Sequence, residues 1–100
     1  MIQSAASKFS LGQLLATPGA LDAIRASGQA ESEFLKRHAN GDWGELSEED
    51  RQLNDEAIVD GGRILSAYQT SSGTKLWIIT EAADDQGTRS ATTILLPEEY

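Results

Sequence analysis

The chain is poor in the residues that most often carry chemistry. It has no cysteine, which excludes disulfide staples, thiolate zinc sites and a cysteine nucleophile and fits a reducing compartment. Its one histidine, His38, leaves a transition-metal site short of ligands. Long apolar runs are missing as well. The longest, Leu76-Trp77-Ile78-Ile79, is far too short to span a bilayer. Met1 to Phe9 lack the basic start and apolar stretch of a secretory signal, so cytoplasm is the expected compartment and no membrane is expected as a partner. No repeat and no Pro/Gly/Ser-rich tract divides the sequence. The 100 residues therefore read as one domain with one modest core.

Basic residues are also scarce, eight against sixteen acids, for a net charge of −8. The imbalance is local. Residues 1–30 hold Lys8 and Arg25 against Asp22, whereas residues 31–60 hold ten acids against Lys36, Arg37 and Arg51. Such a surface repels phosphate backbones, so direct nucleic-acid binding is not expected. It serves solubility, and it also attracts a basic partner.

What is present reads as an α+β fold. Phe9 to Leu15 forms a short strand or an irregular lead-in. Thr17-Pro18 caps a first helix that Gly28 stops. A second helix covers Gln29 to Ala39, with Ala30, Phe34 and His38 on one stripe. Ser47-Glu48-Glu49-Asp50 opens a third with a serine cap and an acidic first turn, and it runs to about Asp60 before Gly61-Gly62. On it Leu53 and Ala57 share the inner face, and Glu48, Glu49, Asp55 and Glu56 lie within an arc of roughly 120° on the outer side. Beyond Gly62 the period changes. Arg63–Thr70, Lys75–Glu81 and Arg89–Leu96 are strand-like and joined by turn compositions. The expected fold has N-terminal helices (1–62, mainly helical) packed on a C-terminal three-stranded antiparallel β-meander (63–100). The middle strand is apolar on both faces. The helices cover one, and the other calls for the N-terminal segment, Trp43 or another subunit.

Few motifs point to catalysis. His38 beside an acid would make a general base, but its stripe marks it as a half-buried packing residue. Asp50, Asp55 and Asp60 are hard-cation ligands by type, yet no calcium-loop spacing exists, and Asp84-Asp85-Gln86-Gly87 lacks the alternating acids and the final glutamate. Gly61-Gly62-Arg63 precedes a strand and Ser71-Ser72-Gly73-Thr74-Lys75 joins two strands, so neither is a phosphate loop ahead of a helix. No Gly-x-Ser-x-Gly elbow is present. No catalytic residue, metal ligand or cofactor is expected. Trp77 reads as core, whereas Trp43 is evenly balanced between core and a contact surface.

The segments Leu11-Gly12-Gln13, Ala16-Thr17-Pro18-Gly19-Ala20-Leu21, Gly41-Asp42-Trp43-Gly44, Arg63 to Tyr68, Lys75 to Glu81 and Thr92 to Tyr100 resemble a family of short uncharacterised bacterial proteins of plasmids and integrative elements. Members carry labels such as plasmid-related protein or type I restriction subunit M. The second implies an amino-methyltransferase, whose Asn/Asp-Pro-Pro-aromatic segment and cofactor-binding βαβ sheet this sequence lacks. The resemblance implies an accessory protein of mobile genetic elements and no site residues. The expected function is non-catalytic protein binding, in one form as an acidic anti-defence (anti-restriction or anti-CRISPR) inhibitor. The expected contact residues are Trp43, Glu48, Glu49, Asp55 and Glu56. The expected partner is a protein, a basic nucleic-acid-binding one in the anti-defence form, with a homodimer as a further option. The alternative is a small enzyme or small-molecule binder using carboxylates near His38.

Overall fold

Local signals set the helix boundaries. The computed structural model describes residues 7–100. A short strand β1 (Gln13–Ala16) leads into helix α1 (Pro18–Ala26). The Thr17 hydroxyl accepts the Ala20 N–H there, and Pro18 sits at the first helical position, where its missing N–H costs nothing. Helix α2 (Glu31–Ala39) starts two residues later than the sequence suggests, without a side-chain cap. Glu31 and Glu33 in its first turn and Lys36, Arg37 and His38 in its last still complement the helix dipole. Helix α3 (Glu48–Asp60) is capped by the Ser47 hydroxyl on the Asp50 N–H and ends at Gly61, in the left-handed conformation at φ 84.

Strands β2 (Ile64–Gln69), β3 (Lys75–Thr80) and β4 (Ala91–Leu95) form the antiparallel meander. The sheet is larger than expected, however, and mixed. Its order is β1-β4-β3-β2, with β1 parallel to β4 and Gln13 opposite Ala91 through Ala16 opposite Ile94. The lead-in read as strand or irregular is thus a true edge strand, and the first 62 residues are not purely helical. The local sequence leaves strand and irregular lead-in both open, and β4, nearly the whole chain away, decides between them. A short 3-10 turn, Pro97–Glu99, follows β4.

Two apolar clusters lie between the helices and one sheet face. Ala20, Ile24 and Phe34 pack on Tyr68, Leu76, Ile78 and Ile94. Phe9, Trp43 and Ala57 pack on Ile64. Full burial of side chains such as Phe34 or Ile78 contributes roughly 1.5–3 kcal/mol each. On the opposite face Tyr100 stands edge-on to Trp77 at 5.8 Å, under the Arg63 guanidinium.

Three expectations about burial need correction. The inner residues of α3 are Asn54 and Ala57, while Leu53 is 57% exposed. Trp43 is core, 4% exposed, and Trp77 is only half-buried. His38 is completely buried rather than half-buried.

Candidate functional site

The five expected contact residues do not form one surface. Trp43 is enclosed by Phe9 and His38, at ring-centroid distances of 6.0 and 5.9 Å. Its indole N–H donates to the Asp55 carboxylate at 3.1 Å. Asp55 therefore anchors the loop before α3 to the helix, which satisfies the one polar atom of a buried tryptophan. Glu48, Glu49 and Glu56 are exposed. At about 100° per residue they share an arc with Gln52 and Val59 on the side of α3 opposite Asn54 and Ala57. Val59, 85% exposed, lies within it near the Glu48 margin, and Leu53 lies about 40° past the Glu49 margin. Among the described residues the ion pair formed is Arg37–Asp42, at 2.7 Å. It raises the arginine pKa and lowers that of the aspartate through their mutual hydrogen bond. Arg51, the basic residue of α3, turns to the Leu46 and Gly44 carbonyls at 3.1 and 2.8 Å. Among the described residues the acids of the outer arc thus form no ion pair.

His38 sits at the centre of a different arrangement. Its Nδ1 lies 2.5 Å from the Ser66 hydroxyl and its Nε2 2.8 Å from the Thr80 hydroxyl. The Thr80 and Thr92 hydroxyls are 2.7 Å apart, and Thr92 donates to the Leu11 carbonyl at 2.7 Å. Every proton in this row can be assigned. A carbonyl only accepts, so Thr92 spends its proton on Leu11 and must accept from Thr80. Thr80 in turn must accept from His38 Nε2–H, which leaves Nδ1 to accept from Ser66. Burial lowers the His38 pKa to about 4, so the ring is neutral at pH 7 and each polar atom has a partner. The ring nitrogens meet hydroxyls, not the carboxylates that an acid–base role for His38 calls for. The row was missed because it joins four elements, yet it left a signal. Ser66, Thr80 and Thr92 occupy inward positions of strands whose other inward residues are Ile64, Tyr68, Leu76, Ile78 and Ile94.

A cleft of about 400 Å³ lies at the end of α3 and is lined by Asp60, Asp84, Asp85, Lys8 and Arg89 among others. Two of its charged groups, Asp84 and Arg89, are engaged by the fold. The Asp84 carboxylate accepts the Gln86 and Thr88 N–H groups, each at 2.9 Å. The buried Arg89 guanidinium donates to the Gly62, Glu81 and Ala57 carbonyls at 2.7–3.0 Å, closing the C-terminal end of α3. A second, more apolar groove of about 260 Å³ runs between β1 and α2, where Leu11, Leu14, Leu35 and Ala39 face one another. Among the described residues no cluster of three or more His, Asp or Glu side chains is arranged to hold a metal ion, and no helix is long and apolar enough to cross a membrane. No family model, curated protein or solved structure matches the chain.

Proposed function

We propose that the protein is a non-catalytic binding protein that engages a basic protein partner through the outer arc of α3. The observation that carries this reading is the combination on that arc: Glu48, Glu49 and Glu56 exposed and, among the described residues, in no ion pair, with Val59 projecting among them. Solubility alone does not call for an exposed valine, whereas interfaces commonly join apolar contact to complementary charge. Trp43 supports the arc from beneath, through its bond to Asp55 at the arc's exposed edge. The resemblance to proteins of plasmids and integrative elements supports an accessory role in mobile DNA. In its anti-defence form the arc occupies the basic channel of a nucleic-acid-binding protein, with carboxylates standing in for phosphates.

The test is affinity capture from a bacterial host lysate with wild-type protein and with Glu49→Lys/Glu56→Lys. Both positions are exposed and neither holds Trp43. The double variant is expected to melt close to wild type and to lose the captured partner. Wild-type binding should weaken steeply with salt, chiefly through the association rate. Equal capture by the two proteins would reduce the arc to a solvated surface.

A further inference from the structure

The two edges of the sheet are finished differently. At β2 the Ala67 N–H donates to the Trp43 carbonyl at 3.1 Å, and the Ala67 carbonyl accepts the Glu45 N–H at 2.7 Å. Beside it, the Asn54 amide donates to the Leu65 carbonyl at 2.6 Å and accepts the Leu65 N–H at 3.1 Å. At β1 the Gln13 and Thr17 N–H groups donate to the Ser90 and Ile94 carbonyls of the neighbouring strand. A parallel ladder uses every second residue of a strand. Leu14 and Ala16 therefore turn their N–H and C=O groups away from β4, and among the described residues nothing bonds them. The strand also carries no lysine, proline or other guard against edge pairing. Gln13-Leu14-Leu15-Ala16 is uncharged, and Leu14 and Leu15 are 53% and 44% exposed.

We propose that two copies of this chain pair through β1, antiparallel about a two-fold axis at Leu15, joining their sheets edge to edge. The pattern is self-complementary at three levels. Pairing about Leu15 sets Leu14 opposite the partner's Ala16, and both residues present outward-facing backbone groups, so each exchanges its N–H and C=O with the other. Leu14 and Ala16 also share the helix-covered face, where a large side chain meets a small one on each side of the axis. Charge matches as well. Lys36 of α2 lines the groove beside β1, and Glu31 of the same helix lines a neighbouring pocket against that strand, with Leu14 and Leu35 common to both. The two-fold axis runs α2 antiparallel to its copy, bringing Glu31 toward the partner's Lys36. The repelling acids stay remote, because α3 packs on β2 at the far edge. Three strand spacings put that edge about 14 Å away, beyond the roughly 8 Å screening length at physiological salt. This surface is separate from the outer arc of α3 and does not depend on the function proposed above.

Sedimentation of the full chain across a micromolar dilution series should show a reversible dimer. The Leu14 and Ala16 amides should gain hydrogen-exchange protection with concentration, while the Leu15 amide, directed at β4, stays protected throughout. Leu15→Lys places like charges together on the axis and should weaken the dimer on the order of a hundredfold, with the monomer's melting temperature unchanged. Glu31→Lys should weaken it less, and adding Lys36→Glu should restore it. Partner capture by the α3 arc should survive Leu15→Lys, so failure of one proposal is distinguishable from failure of the other. The proposal is overturned if the chain stays monomeric throughout, if a dimer forms that ignores Leu15→Lys, or if only a variant lacking residues 1–6 dimerises, which would make the chain's own start the occupant of this edge.

Discussion

The β2 edge and the β1 edge show two treatments of the same problem. Unpaired strand groups invite another strand. At β2 the chain closes the edge with its own material, a loop from Trp43 to Glu45 and the amide of Asn54. That closure requires a glycine, because a Cβ at Gly44 would lie 1.9 Å from the Ala67 carbonyl oxygen, at φ +75. It also requires a buried asparagine where a helix would ordinarily place an apolar residue. At β1 no such device exists among the described residues. The difference shows that edge protection in a small domain takes specific residues, which among the described residues stand at β2 and not at β1.

The largest effect is expected at the closed edge. Gly44→Ala forces a side chain into the Ala67 backbone and a left-handed conformation on a residue that resists it. Urea unfolding should show a loss on the order of 3–5 kcal/mol, with the Trp43 fluorescence environment altered in the native baseline. A cost under about 1 kcal/mol would mean that the loop closes the edge loosely and that the contrast is overstated.

An intermediate effect is expected from acid, acting on the hydroxyl row that links the two sides of the sheet. The folded His38 pKa of about 4 lies below the ordinary 6.5, so the unfolded chain takes up the proton first. Stability is complete above pH 6.5 and falls as the pH drops toward 4. Between pH 7 and pH 4.5 the loss should be roughly 2–3 kcal/mol. Imidazole chemical shifts should report a neutral ring at pH 5 in the folded protein. A ring that titrates near 6.5 without unfolding would contradict its burial.

The smallest effect is expected at the open edge. Leu14→Thr exchanges a half-exposed leucine for a residue that suits strands. Under dilute conditions it should change stability by less than about 0.5 kcal/mol. A larger loss at the lowest protein concentrations would mean that Leu14 supports the monomer's own core and that the two edges differ less than their hydrogen bonds indicate.

Much of this architecture was legible from the sequence, and the exceptions share a cause. Thr17-Pro18, Ser47 with Asp50, and Gly61 announce helix ends through local bonds that need no tertiary partner. The three later strands announce themselves by composition and by short turns. What escaped depends on distant groups. β1 is a strand only because β4 lies beside it. Hydrophobic periodicity puts Leu53 beside Ala57 on the inner face of α3; Ala57 is buried there, but periodicity has no way to anticipate that Asn54 rather than Leu53 is needed inside to close the Leu65 edge. Asp55 was grouped with the exposed acids by its angular position, which is correct, but its bond to Trp43 crosses the intervening loop. His38 was placed on the inner stripe correctly, and its partners remained unseen because two threonines and a serine inside strands look like ordinary β-propensity.

The hydroxyl row from Ser66 to Leu11 also supplies the molecule with a clock. Neither end of the row is an ionisable group, and its central imidazole is 0% exposed. The proton on His38 Nε2 is therefore held inside the fold, against the Thr80 hydroxyl. Its exchange with deuterium should be slow and should report openings that separate α2 from the sheet. One ring proton can thus report the breathing of the domain in a way that exposed amides, which exchange through local fraying, do not.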